Sequence, residues 1–245
     1  MEESHQLVCV DRVTASMGST AYSEVMGSVL EAIDLYRFYH AGDDETLALR
    51  GVSMHADAGE VVAVTGPSGS GKSTLLACLA GLDEPDGGMV RVDGVALSRR
   101  PEPDRAAMRA RHIGMLFQTT NLLEHLTVHE NVRLAQQLAS RGSGSSVMKL
   151  LESLGISARA RAHPSELSGG EMARAGLAVA LANDPTVILA DEPTGELDRG
   201  NAHQLIGLLR TRARAGSAVV VVTHSTALAD EADRVISLRD GRVQE

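Results

Sequence analysis

The chain has 245 residues, of which 43% are hydrophobic and 22% charged, a composition typical of a folded protein with one α/β domain or two small ones. Its formal net charge of −9 does not favour binding to nucleic acid. We expect a reduced, cytosolic protein without direct membrane insertion, because Cys9 and Cys78 suggest no disulfide framework and no apolar run approaches the roughly 20 residues of a spanning helix.

The N-terminal residues 1–28 have a mixed composition, and we interpret them as an extension without an assigned role. From Val29 onward, the spacing of apolar residues predicts strands alternating with helices, so residues 29–245 are expected to form one domain. EVVAVTG (60–66) is predicted to be a buried strand, followed by a helix, KSTLLACLAGL, that stops at Gly81. GGMVRVDG is then predicted to be an edge strand between glycine turns.

A mostly helical insert is predicted at about residues 119–175. It contains LTVHENVRLAQQLASRG, a flexible GSGSS loop, and VMKLLESLG, whose apolar residues share one helix face: Val147, Leu150, Leu151 and Leu154. After the insert, TVILADE (186–192) and SAVVVVTH (217–224) are nearly continuous apolar runs. Such runs are typical of central strands in a parallel sheet covered on both faces, which predicts an α/β fold.

The most specific motif is GPSGSGKST, residues 66–74, between the predicted strand and helix. Glycines let successive N–H groups point at phosphate oxygens, Lys72 adds a charge for the β- and γ-phosphates, and the Ser73 hydroxyl can bind Mg²⁺. The motif predicts the P-loop of a nucleotide-binding NTPase core. The predicted contacts are Gly66, Ser68, Gly69, Ser70, Gly71, Lys72, Ser73 and Thr74.

Polar residues at the ends of other apolar runs could complete this site, since parallel strands present ligands at their carboxyl ends. Asp191 is predicted to hold Mg²⁺ through water, and Glu192 to polarise an attacking water, although a plain pair of loop acids is the alternative. His224 and Gln118 could also reach the site, but an isolated His at a strand end is more often structural or solvated than catalytic, and Gln118 taken alone is weak evidence.

SELSGGEMAR, residues 165–174, predicts a second anion site at a helix start. Ser168 and Glu171 form a capping box, which explains both residues structurally. The box does not explain Gly169 and Gly170, which weaken a helix by about 1 kcal/mol each relative to Ala. Close approach of the backbone to a ligand would explain them.

GPSGSGKS, Gln118, LSGGE, VILADE, GELD and His224, in this order, make residues 29–245 resemble the ATP-binding subunits of ABC transporters. FQTTNLLEHLTVHENV and ADEPTGELD look most like the branch with lipoprotein-release, macrolide-export and FtsE-type ATPases. The resemblance implies that Tyr39 stacks on adenine, with Tyr36 and Phe38 as rivals, Phe38 being expected on the opposite face of its strand.

The resemblance also assigns roles to the other site residues. It implies that Gln118 senses the metal and links to the membrane subunit, and that Glu192 is the general base. It implies that His224 orients the γ-phosphate and water, and that Asp198 lies in a loop that crosses to a second subunit.

The resemblance further implies a dimer of ATP-binding subunits, identical or different, with two Mg-ATP bound head to tail. Ser168, Gly169 and Gly170 of each chain would complete the partner's site. ATP hydrolysis would drive transmembrane permease subunits in export or lipoprotein extraction, with the chain peripheral at the cytoplasmic face of the membrane. The alternative is an FtsE-like ATPase that drives mechanical signalling without transport.

Some residues depart from the family pattern or admit another interpretation. The departures leave the hydrolysis rate and the dimer symmetry open: Glu171, Val179, Glu196 and Ser225. His125 and His129 have a zinc-compatible spacing, but Thr127 and Glu130 predict a helix start between them. We interpret a set of arginines as a solvated surface, while the resemblance places the region near Gln118 against the membrane subunit: Arg99, Arg100, Arg105, Arg109 and Arg111.

Overall fold

The structure, a computed structural model, describes residues 28–41, 44–118, 121–139 and 146–244. The extension up to residue 27 and most of the GSGSS loop lie outside these ranges. The strands are β1 Ser28–Ala41, β2 Asp44–Asp57, β3 Val61–Thr65, β4 Gly87–Val92, β5 Val95–Ala96, β6 Ile113–Leu116, β7 Val187–Asp191, β8 Ala218–Val222, β9 Arg234–Arg239 and β10 Arg242–Gln244. The α-helices are α1 Lys72–Leu79, α2 Glu102–His112, α3 Val128–Leu138, α4 Val147–Ser153, α5 Gly169–Ala180, α6 Arg199–Arg214 and α7 Thr226–Asp230.

A six-stranded sheet forms the centre of the fold, in the order β10-β9-β3-β8-β7-β6. Every neighbouring pair is parallel except β9 with β10. The two apolar runs predicted to be central strands are β7 and β8, which both lie inside the sheet. The predicted α/β fold with a mainly parallel sheet is therefore confirmed.

The sheet separates two hydrophobic cores, which explains why its strands are apolar throughout. In β8, Val220 and Val222 pack into the core shared with α1 and the first strands. The residues between them, Val219 and Val221, pack into the core beneath α5 and α6. Because successive side chains of a strand point to opposite faces, both faces of a covered strand must be apolar.

A second, antiparallel sheet has the order β2-β1-β4-β5 and confirms the predicted N-terminal antiparallel portion. The prediction that GGMVRVDG is an edge strand is wrong. After a turn at Asp93 and Gly94, both with positive φ, the two-residue strand β5 pairs with Arg91 and Val92. An Asp-Gly turn favours such a hairpin, but β5 is too short to give a periodic signal.

The segment predicted to be a helical insert contains α3, α4 and the start of α5 in its described part. Thr127 caps α3 in a complete capping box with Glu130, so His125 precedes the helix and His129 lies within it, as predicted. The apolar residues predicted to share a face of the next helix are all buried: Val147, Leu150, Leu151 and Leu154.

The arginine-rich segment is not simply a solvated surface, as the sequence suggested. Arg105 forms ion pairs with Glu84 and Glu102, and Arg109 pairs with Glu102 and donates to the Gly81 carbonyl at 2.7 Å. These contacts tie α2 to the turn that follows α1. Across the described parts of the chain, no helix has the length and apolarity that crossing a membrane requires.

We predict that Gly114→Ala destabilises the fold by about 1–3 kcal/mol, the usual cost of overpacking a core. A Cβ at position 114 in β6 would overlap the Ala180 carbonyl at the end of α5 and crowd Pro185. Urea denaturation measures the change. Gly207→Ala in α6 is the matched control, because its Cβ meets nothing within 4 Å; equal effects of the two substitutions would contradict the prediction.

Candidate active site

A cleft of about 580 Å³ opens at the carboxyl ends of four neighbouring strands, β3, β8, β7 and β6. Each strand continues into one part of the predicted site: the P-loop, His224, the Asp191–Glu192 pair and Gln118, in that spatial order. Parallel neighbours necessarily bring these four ends to one edge. The lining residues are Ser68, Gly69, Gly71, Lys72, Ser73, Thr74, Gln118, Asp191, Glu192, Gly195, Val222 and His224.

The P-loop holds Lys72 in a fixed position. Its side chain is buried, and Nζ donates to the carbonyls of Gly66 at 2.8 Å and Pro67 at 2.9 Å. An ammonium group has three N–H donors, so one remains for a ligand in the cleft. The ammonium group is buried, and the two P-loop carbonyls hold it beside the loop, so it suits a phosphate-binding role.

Two of the predicted P-loop contacts do not line the cleft. Gly66 has a φ of 150°, and a Cβ there would overlap the Leu238 carbonyl, so Gly66 shapes the turn. The Ser70 side chain is buried, and its Oγ has no hydrogen-bond partner among the described residues. Contact of nucleotide with Gly66 or Ser70 therefore stays a prediction that concerns backbone atoms.

Asp191, Ser73 and Gln118 together form a donor set that fits Mg²⁺. All three line the cleft, and the Ser73 hydroxyl hydrogen-bonds to Asp191. Partial burial and the nearby Glu192 charge raise the pKa of Asp191, against the opposing influence of Lys72 and Ser73. A cation at this position would relieve that electrostatic penalty. One carboxylate with neutral oxygens matches the way Mg²⁺ is held beside nucleotide phosphates.

Glu192 follows β7 in a left-handed conformation, with a φ of 45°. Its Oε2 accepts from the His224 backbone N–H at 3.1 Å and from the Thr223 hydroxyl at 3.4 Å. Its Oε1 is buried without a hydrogen bond and lies 3.4 Å from His224 Nε2, too far for a strong one. The hydrogen bonds to Oε2 thus orient the Glu192 carboxylate and leave Oε1 able to accept a proton.

The sequence interpretation missed three neighbours of this carboxylate. Gly195 and Val222 line the cleft, and the fully buried Thr223 donates to Glu192 while accepting from the Ser225 N–H at 3.0 Å. Thr223 lies between an apolar strand and His224, so its position at a strand end was the available signal. Gly195 is the first residue of GELD, one of the motifs that carry the family resemblance.

The LSGGE segment starts α5 as predicted, but it does not line the cleft. Ser168 accepts from the Glu171 N–H at 3.4 Å, and Glu171 accepts from the Ser168 N–H at 2.8 Å. The ion pair with Arg159, reinforced by the contacts with Ser168, lowers the pKa of Glu171 to about 2. The capping box is therefore complete within one chain, and Ser168 and Gly169 are exposed.

The two glycines of the LSGGE segment, Gly169 and Gly170, have different surroundings. A Cβ on Gly170 would overlap the side chain of Asn201, whereas a Cβ on Gly169 would meet only Leu197, at 3.8 Å. Asn201 in turn donates its backbone N–H to Asp198 at 3.0 Å and its side-chain N–H at 2.6 Å. Packing within the chain thus accounts for Gly170 and leaves Gly169 without an intramolecular reason. Asp198 is exposed, caps α6 and lies outside the cleft.

Among the three candidate aromatic residues, Tyr39 is the one that contacts α1. Its hydroxyl donates to Asp83 at 2.6 Å, just beyond α1, and its phenol also interacts with Thr74. Tyr36 instead packs against Gly51 and Gly87 of the antiparallel sheet. The half-buried Phe38 donates its backbone N–H to Asp86 at 2.8 Å. Tyr39, on β1, is exposed, and its phenol lies beside the helix that begins at the P-loop, as stacking on a bound base requires.

Comparison with known proteins gives consistent matches. The profile of a family described as ABC transporter matches residues 49–195. An uncharacterized ABC transporter ATP-binding protein of Thermotoga maritima is 42% identical over 222 residues, covering 89% of this chain and 95% of that protein. The macrolide export ATP-binding/permease protein MacB of Shigella flexneri is 40% identical, but the chain spans only 34% of its length.

Solved structures agree with these sequence matches. The dimeric structure of MJ0796, a bacterial ABC transporter cassette, superposes with a TM-score of 0.81 and 35% identity over 88% of this chain and 97% of that one. A post-hydrolysis dimer of the same cassette, bound to ADP and Pi, gives the same TM-score at 34% identity.

We predict that Asp191→Asn makes the protein more stable at about pH 7 when nucleotide and Mg²⁺ are absent. Because its pKa is raised in the folded state, the folded protein loses stability as pH rises from the unfolded value of about 3.9 through the raised one. Asparagine removes that penalty, and urea denaturation measures it. Asp184→Asn, at a side chain that is 90% exposed, is the control; a less stable Asp191→Asn protein would refute the prediction.

Proposed function

The chain belongs to the ABC transporter ATP-binding family, and we propose that it forms half of an ATP-driven dimer that powers separate transmembrane permease subunits in export. It is an ABC-type ATPase, and its cleft has the groups that binding and hydrolysis of ATP require. The observation that carries the proposed dimer is the helix start at Ser168 and Gly169, which are exposed and lie outside the cleft of their own chain.

The proposed hydrolysis uses groups from the four strand ends. P-loop N–H groups and Lys72 hold the phosphates, and the free oxygen of Glu192 takes the proton of a water that attacks the γ-phosphorus. The bond to the bridging oxygen breaks, releasing ADP and phosphate. His224 donates a hydrogen bond to the γ-phosphate. Mg²⁺, held by Ser73 and Asp191 with Gln118 nearby, would neutralise charge on the β- and γ-phosphate oxygens when bound.

A second copy completes the site in this proposal. The start of α5 presents the exposed residues Ser168 and Gly169 at the positive end of a helix dipole, which suits an anion. The P-loop of the same chain already holds the triphosphate from one side, so the second anion site has no ligand within its own chain. The dimeric cassette structures support a partner subunit, identical or different, that supplies the γ-phosphate.

Exposed apolar side chains support a membrane partner beside Gln118. Phe117 and Leu123, on either side of this residue in sequence, are 42% and 45% exposed. Several relatives are named ATP-binding/permease proteins of export systems, which favours export over mechanical signalling. The permease would be a separate polypeptide and would place the chain at the cytoplasmic membrane face.

We predict that Glu192→Gln, which removes the base, accumulates a dimer at saturating Mg-ATP. Adding Ser168→Arg to this variant should keep the monomer able to bind ATP and abolish the dimer, because the new side chain blocks the anion site in trans. For the same reason, Ser168→Arg alone should abolish hydrolysis. Size-exclusion chromatography with light scattering measures the mass. Mg-ADP is the control ligand. A persistent monomer of Glu192→Gln, or hydrolysis by Ser168→Arg alone at the parental rate, would rule out an ATP site that a second copy completes.

Substitutions of Gly169 and Gly170 distinguish a role in packing from a role in letting the backbone approach a ligand closely. Gly169→Ala should leave stability unchanged or raise it by up to about 1 kcal/mol, but lower ATPase activity at least about tenfold, as loss of roughly 1.4 kcal/mol in the transition state would. Gly170→Ala should destabilise the protein through the Asn201 overlap, and Gly170→Ala with Asn201→Ala should restore stability without restoring activity. Full activity of the double variant would mean that Gly170 serves only to make room for Asn201.

A further inference from the structure

Arg37 and Asp83 form a bidentate pair beside Tyr39. Arg37 donates from Nε and Nη2 to the two oxygens of Asp83, at 2.9 Å and 2.8 Å, and from Nη1 to Asp86 at 3.0 Å. Both edges of the guanidinium are therefore occupied by carboxylates. With its charge compensated in this way, Arg37 is poorly suited to bind a phosphate directly.

The pair holds the Tyr39 ring at two points. The Arg37 guanidinium carbon lies 4.7 Å from the ring centroid, and the Tyr39 hydroxyl donates to Asp83 at 2.6 Å. The cation covers one face of the ring, while the hydroxyl contact fixes its tip. The side chain remains 39% exposed, so the opposite face can accept a flat ligand.

The network also fixes where the ring lies relative to the cleft. Asp83 follows α1, whose first residues bind the phosphates in the proposed function, and Thr74 of α1 interacts with the phenol. The hydrogen bonds from Tyr39 and Arg37 outweigh the partial burial of Asp83 and lower its pKa. Asp83 is therefore ionised at neutral pH, as the bidentate pair requires.

We propose that Arg37 and Asp83 are positioning residues for the nucleotide base, which hold Tyr39 in the orientation that stacks on adenine. This inference rests on the proposed role of Tyr39 in ATP binding. A tyrosine that is already ordered loses less conformational entropy when the base binds, so the braced ring binds more tightly than a free one. Arg37, Tyr39 and Asp83 do not line the cleft that would hold the phosphates, so phosphate binding should not depend on Arg37 or Asp83.

The test separates the contribution of the adenosine to the binding free energy from the contribution of the phosphates. Dissociation constants for Mg-ADP and Mg-pyrophosphate are measured by calorimetry on the full chain, so that no hydrolysis occurs. Arg37→Met and Asp83→Asn should each weaken ADP about fivefold, the size expected for ordering one side chain, and leave pyrophosphate unchanged. Arg50→Met is the control, because the side chain of that exposed arginine on β2 donates to the nearby Leu47 carbonyl at 3.4 Å and takes no part in the contacts of Arg37, Tyr39 and Asp83 given above.

Tyr39→Ala tests whether the effect passes through the ring. It should weaken ADP at least as much, and Tyr39→Ala with Arg37→Met should be no weaker than Tyr39→Ala alone, since a positioning residue acts only through its target. Equal losses for ADP and pyrophosphate, or tighter ADP binding by Arg37→Met, would overturn the inference. Normal ADP binding by Arg37→Met and Asp83→Asn, with loss in Tyr39→Ala, would overturn it and leave the role of Tyr39 intact. Normal ADP binding by Tyr39→Ala would refute that role as well.

Discussion

The parallel pairing of β3, β8, β7 and β6 is the constraint on which the rest of the structure depends. Their hydrogen-bond ladders fix the neighbours and the direction of each strand, so the residues that follow the four strands converge without a dedicated scaffold. Two cores hold this sheet from opposite faces. The site therefore inherits its geometry from the most buried part of the molecule, while its side chains lie at an open edge.

The same edge concentrates unfavourable electrostatics and backbone strain. Asp191 and Glu192 are adjacent carboxylates, one with a raised pKa and the other with a left-handed backbone and a buried oxygen without a hydrogen bond. A non-glycine residue in that conformation costs about 1–3 kcal/mol. In the proposed function, a bound cation would supply the positive charge that these two carboxylates lack. The ligand-free chain thus carries an electrostatic penalty that cation binding would relieve.

Contiguous patterns made the fold class, the P-loop and the capping boxes predictable, because each is encoded within a few residues. The strand-end positions of Asp191 and His224 followed from apolar runs, and parallel topology then implied that they meet. Contacts distant in sequence had no such signal. The Tyr39 hydroxyl donates to Asp83, which lies 44 residues away in sequence, and Arg105 forms an ion pair with Glu84 rather than facing solvent. The short strand β5 was missed because two residues cannot show a period.

The contact between Gly170 and Asn201 influences the order in which these two residues can be substituted during evolution. A methyl group at position 170 overlaps the asparagine side chain, so replacing that glycine costs stability while Asn201 is present. Asn201 also holds Asp198 at the start of α6, and shrinking it therefore alters a second contact of the chain. Evolutionary paths through these two sites are consequently asymmetric: replacing position 201 first makes the replacement of Gly170 less costly.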